Sequence, residues 1–197
     1  NTDFKKEQHS LGRAFSFVYG DKENGAVFSH MVVMYAYALY GRGLVSGGWR
    51  ALSSLYKLAI DARRSKIYPS LPEYFDAEGR GMYSYLTGSA SWFVLTILNR
   101  AFGLYGYYGD LLIEPRLDKE QFSSSSKISI KRNFAGRRLL VNFINPRKLG
   151  YGEYKIISLK INSGDKIICG KNRQLISRKV ISNLPLDRIN TIDVILG

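Results

Sequence analysis

The chain is 197 residues long, 45% hydrophobic and 13% aromatic, with 29 Lys and Arg against 16 Asp and Glu for a formal net charge of +13. That apolar share supports one large core or two modest ones and excludes disorder as the class of the chain. The single Cys169 excludes an internal disulfide and a cysteine-based zinc cluster, and it fits a reducing compartment.

The chain opens at Asn1 in a polar run, Asn1 to Ser10, with no Met and no charged-then-apolar leader, so this start reads as a cut or processed end. The longest apolar run, Val27 to Tyr40, is broken by Ser29 and His30 and falls short of the roughly 20 residues that span a membrane. A buried helix is expected there, and no membrane partner. Residues 27–40, 46–62 and 89–102 all read as helices. The first and third are apolar nearly all round, which predicts burial on every side. The second places Trp49, Leu52, Leu55, Tyr56, Ala59 and Ile60 on one face. Gly41-Arg42-Gly43 and Gly103 stand where a left-handed residue closes a helix. Between the second and third helices, Ser65 to Gly81 is long for a connection and is a candidate functional loop.

Past Gly109 the apolar period changes from helical to alternating. Leu111–Pro115, Lys127–Ile130, Arg138–Ile144, Tyr154–Ile161, Asp165–Cys169, Leu175–Ile181 and Thr191–Leu196 read as strands. Asn133–Gly136, Asn162–Asp165 and Cys169–Asn172 read as hairpin turns between them. The charge is concentrated in this part: residues 123–197 hold 15 Lys and Arg against 4 Asp and Glu, whereas residues 1–122 hold 14 against 12. Most of these cations alternate with Ile, Leu and Val, the pattern of the wet face of a half-buried sheet, so no nucleic-acid partner is expected.

The two most informative stretches are Lys22-Glu23-Asn24-Gly25-Ala26-Val27-Phe28-Ser29-His30 and Tyr83-Ser84-Tyr85-Leu86-Thr87-Gly88-Ser89-Ala90-Ser91-Trp92. Each puts small and polar residues where a loop becomes an apolar helix, and a helix start directs unpaired N–H groups and positive dipole at what lies before it. Two such starts suit one anion held between them. Thr87 offers a hydroxyl, Gly88 has no Cβ to obstruct approach, and His30 adds an imidazole one turn into its helix. The plainer alternative is an N-cap at Thr87 and a hydrogen-bonded core histidine at His30. Lys22 is by default a surface lysine, and Glu73, Asp76 and Glu78 are by default solvated charges of an irregular loop. No spacing points to a metal site, a Ser/His/Asp triad or a nucleotide-binding loop.

Both stretches resemble motifs of inverting disaccharide phosphorylases, the cellobiose and chitobiose phosphorylase group of glycoside hydrolase family 94. Residues 22–30 are similar to that family's Lys-Glu-Asn-Gly-Gly-x-Phe-Asn-His stretch, departing at Ala26 and Ser29. Residues 85–92 are similar to its aromatic-x-Thr-Gly-Ser/Thr-Ala-Gly-Trp stretch, departing at Ser91. Gly109 to Pro115 resembles the segment leading from its catalytic barrel to its C-terminal β-domain.

The resemblance implies a phosphate site at His30, Thr87 and Gly88, a sugar contact at Lys22, and reversible phosphorolysis of a β-linked oligosaccharide with inversion. Inorganic phosphate is then a substrate, no cofactor or metal is needed, and the cytoplasm is the expected location. The family's catalytic Asp acid lies upstream of the first motif and has no counterpart here. The resemblance therefore implies that the N-terminal part of the same protein is missing, that this fragment alone is inactive, and that a homodimer is allowed. The implied fold class is α+β in two parts: residues 1–119 as the C-terminal part of an (α/α)6 barrel and residues 120–197 as an antiparallel β-sandwich. Competing readings are a hydrolase on the same barrel, with His30 and Thr87 lining a sugar subsite, and a non-catalytic carbohydrate-binding or interaction module centred on the basic β-domain.

Overall fold

Val27 and Phe28 form a two-residue strand, β1, and directly behind it Ser29–Gly41 coil into helix α1. The computed structural model describes residues 3–84, 88–122 and 124–197. Val45–Ile60 form α2, Ala62–Ser65 the single turn α3, Tyr74–Phe75 strand β2, Gly81–Met82 strand β3 and Gly88–Thr96 helix α4. The first helix begins later than the sequence suggests because Val27 and Phe28 are recruited to a small antiparallel sheet of order β1-β2-β3. The same sheet orders part of the long connection 65–81.

α1 packs against both α2 and α4. Its inner face carries Ser29, Val33, Ala36 and Tyr40, and that of α2 carries Val45, Gly48, Leu52, Leu55 and Ala59. The expectation that the first and third helices are buried on every side is not met. On α1, Met31 is 67% and Tyr35 61% exposed, and on α4, Val94 is 55% exposed. An all-round apolar helix states only that each face tolerates burial; which faces are covered depends on how many neighbours the fold supplies, and here α1 has two packed helices. On α2, Tyr56 and Ile60 are also exposed.

The expected helix 89–102 changes character at its middle. Thr96 Oγ1 donates to the Trp92 carbonyl at 2.7 Å, and Ile97–Ala101 continue as a π-helical turn that the Phe102 amide closes onto the Ile97 carbonyl. Gly103 follows at φ 62, where a Cβ would stand 1.8 Å from the Glu114 carbonyl oxygen, so only glycine fits.

The chain divides into two compact units, residues 1–96 and 97–197, ahead of the 119/120 boundary expected from the sequence. In the second unit Leu104–Tyr107 (β4) and Asp110–Ile113 (β5) form a hairpin. Lys127–Phe134 (β6), Arg137–Ile144 (β7), Ile156–Ile161 (β8) and Lys166–Lys171 (β9) follow, then Gln174–Ile176 (β10), the short helix α5 at Arg178–Ser182, and Ile189–Leu196 (β11). The sheets have orders β10-β5-β4 and β6-β7-β11-β8-β9. Leu104, Leu111 and Ile113 of the first share one core with Val141, Phe143, Ile156, Leu159, Ile192 and Val194 of the second.

The β part is therefore sheet on sheet, but not purely antiparallel. β11 enters between β7 and β8 and runs parallel to β7, with Ile192 opposite Val141 and Val194 opposite Phe143. Alternation fixes which face of a strand is apolar and leaves its direction open. Two local expectations also change. Cys169–Asn172 is no hairpin turn, because β9 runs through Lys171 and β10 leaves to pair with β5. Leu175–Ile181 is no continuous strand, because Ser177 caps α5, its Oγ accepting from the Val180 amide. The 133–136 turn holds, with Ala135 and Gly136 both at positive φ between β6 and β7. The described architecture is mixed α+β, and among the described residues there is no closed barrel and no helix long and apolar enough to cross a membrane.

Candidate functional site

The helical unit brings two helix starts together. His30 is the second residue of α1 and Gly88 the first of α4, and a Cβ built on Gly88 would stand 3.4 Å from His30 Cε1. The imidazole is solvent-exposed, not a core group, and meets Trp92 edge-to-face at a ring separation of 5.4 Å. Trp92 in turn stands 5.8 Å from Tyr37 of α1. These ring contacts, from the first and third turns of α1 to Trp92 one turn into α4, hold the two helices side by side. Thr87 lies outside the described residues, so the expected pairing of His30 with its hydroxyl does too.

Adjoining starts place two sets of first-turn N–H groups and two positive dipole ends in one region. Like poles so placed repel, and an anion between them removes that cost while accepting the N–H bonds, an effect of about 0.3–1 kcal/mol per helix when exposed and up to about 2 when partly buried. Chemically, the arrangement suits an oxyanion.

Lys22 lies in a tight loop before β1. Asn24 pins this loop: its Nδ2 donates to the Phe17 carbonyl at 2.7 Å, its amide donates to the Asp21 carbonyl at 3.0 Å, and its carbonyl accepts from the Gly20 amide. Gly25 sits at φ 95 with the Tyr19 ring where a Cβ would be. Asn24 thus acts as the buried peg of the loop and not as a helix cap, since β1 intervenes and Phe28 occupies the cap position of α1. Lys22 is not the free surface lysine of the default reading. Its Nζ lies 4.7 Å from the centre of the Tyr83 ring and 5.7 Å from that of Phe17, and a hydrogen bond to Tyr83 raises its pKa above the ordinary lysine value.

The small sheet joins this loop to the start of α1. Tyr74 of β2 is buried and donates its hydroxyl to Asp21 Oδ1, and burial followed by that bond pushes the phenol pKa well above its usual value. Tyr74 also meets Phe28 and Tyr83 at ring separations of 5.3 and 5.8 Å. The Ser29 amide, at the start of α1, donates to the Glu73 carbonyl, and the Glu73 amide to the Tyr83 carbonyl. Sequence reasoning missed Tyr74 and Tyr83 because nothing local ties a tyrosine to a loop some 50 residues earlier.

Asp76 and Glu78 are engaged in the 76–80 turn. Asp76 accepts from the Glu78 and Arg80 amides and pairs with Arg80 Nε at 2.7 Å, while Glu78 reaches Arg80 at 3.7 Å. That geometry gives them a structural part in the loop. Among the described residues no group of three or more His, Cys, Asp or Glu side chains converges on a common point. No known family model matches the chain, and no match is found among curated proteins.

Proposed function

We propose that this chain is the phosphate-binding part of an inverting glycoside phosphorylase, acting on a β-linked glucoside and releasing a sugar 1-phosphate. The single observation that carries the reading is the abutment of two helix starts at His30 and Gly88, on the residues where the sequence resembles the family's phosphate motifs. In this reading His30, Gly88 and Thr87 hold inorganic phosphate, and Lys22 contacts the sugar.

A phosphate oxygen attacks the anomeric carbon as the glycosidic C–O bond breaks, and an Asp supplied by the upstream part of the protein gives its proton to the departing sugar oxygen. One protein carboxyl suffices because phosphate replaces the water that an inverting hydrolase must activate with a second. The helix starts fix the nucleophile, which is the chain's contribution to positioning. No cofactor enters this chemistry, and the expected setting is the cytoplasm, where orthophosphate is at hand.

The test joins the chain to its upstream part and follows sugar 1-phosphate release from β-glucosides with and without orthophosphate. Strict phosphate dependence, lost on His30→Ala, supports the reading. Phosphate-independent release of free sugar assigns a hydrolase instead.

A further inference from the structure

Two residues with side chains in contact, Lys22 and Tyr83, both adopt the left-handed backbone region, at φ 43 and φ 58. A bulky residue there is strained, and such outliers persist only where the surroundings over-determine them. The surroundings here are explicit. Asn24 closes the loop that bears Lys22, the Tyr74 hydroxyl ties the neighbouring Asp21 to β2, and Tyr83 follows β3 directly. These bonds fix the two backbone segments that carry Lys22 and Tyr83.

A lysine head group on a four-carbon stem loses rotamer freedom when ordered. An exposed ammonium is attracted to a ring face, so the ring supplies part of the ordering in advance. We propose that Tyr83 is a positioning residue for Lys22. Its ring and hydroxyl hold the ammonium in place before any ligand arrives, leaving further N–H bonds for a hydroxyl of the sugar. The sugar in this statement rests on the phosphorylase reading; the positioning does not.

Two measurements separate them. In the full chain with lysine side chains labelled for NMR, the Lys22 ε-methylene is expected upfield of the other lysines through the Tyr83 ring current. The shift is expected to collapse in Tyr83→Asn, which tolerates the left-handed backbone, and to persist in Tyr83→Phe. In the enzyme completed by its upstream part, Tyr83→Asn is expected to raise the KM for the sugar about threefold to tenfold with the KM for phosphate unchanged, and Tyr83→Phe to recover most of the loss. An unshifted Lys22 in the wild-type chain, a shift indifferent to Tyr83→Asn, or an equal rise in both KM values overturns the proposal. A collapsing Lys22 shift in a protein without phosphorolysis leaves the positioning standing and removes the phosphorylase reading.

Discussion

His30 and Gly88, 58 residues apart in the numbering, adjoin closely enough that a Cβ on Gly88 would rest 3.4 Å from His30 Cε1. That distance is ordinary van der Waals contact, so Gly88→Ala is expected to be tolerated. The branched side chain of Gly88→Val is expected to push the imidazole aside. On the phosphorylase reading, the chain joined to its upstream part is expected to show a KM for phosphate raised about tenfold, roughly 1.4 kcal/mol of lost binding. Thr87→Val removes one donor at constant volume and raises the same KM, and His30→Ala raises it further by also removing a group able to carry positive charge beside a dianion. Wild-type phosphate dependence in all three variants, with stability alone reduced, would return these residues to capping and packing.

The chain by itself is expected to release no sugar 1-phosphate from β-glucosides. Attack by phosphate without a positioned acid forgoes general acid catalysis, typically about 10²–10⁴-fold. The assay compares this chain with the protein that includes its upstream part. Robust turnover by the 197 residues alone would show that the acid lies within them.

Acid is expected to loosen the 76–80 turn. Burial raises the Asp76 pKa, but bonds from the Arg80 amide and guanidinium and from the Glu78 amide outweigh it, and the net value is lowered. A lowered carboxyl pKa gives stability that is full above the unfolded value of about 3.9 and is lost as pH falls through the folded value. Thermal melts of wild type and Asp76→Asn are expected to differ near pH 6 and to converge toward about pH 2. A gap independent of pH would mean that the charge of Asp76 contributes nothing.

Tyr154→Phe is expected to destabilise the second unit by about 1–3 kcal/mol, the cost of stranding a buried donor. The Tyr154 hydroxyl accepts from the Leu117 amide at 2.8 Å and also reaches the Pro115 carbonyl, with the ring inside the shared core of the two sheets. A lower denaturant midpoint checks the bond. An unshifted midpoint would mean that water satisfies Leu117.

The hairpin at Ala135-Gly136, the C-terminal end of α1, and the inward faces of β6 and β7 follow from residues within a few positions of one another. Positive φ favours glycine, apolar period selects helix or strand, and both are short-range effects that a sequence displays. The start of α4 was legible for the same reason, since Gly88 and Ser89 open an apolar run. The relationships that make a site were not legible in this way. The Tyr74 hydroxyl on Asp21, the Tyr83 ring under Lys22, and the exposed outer faces of α1 and α4 depend on which surfaces meet across long separations. So does the parallel entry of β11 beside β7. By itself the sequence determined the helical or strand character of most segments and the turn at Ala135-Gly136, because those choices are settled by neighbours in the chain. Only the tertiary structure decided that two helix starts share one place and that a lysine rests on a tyrosine, because those contacts exist only after distant apolar faces have closed on one another.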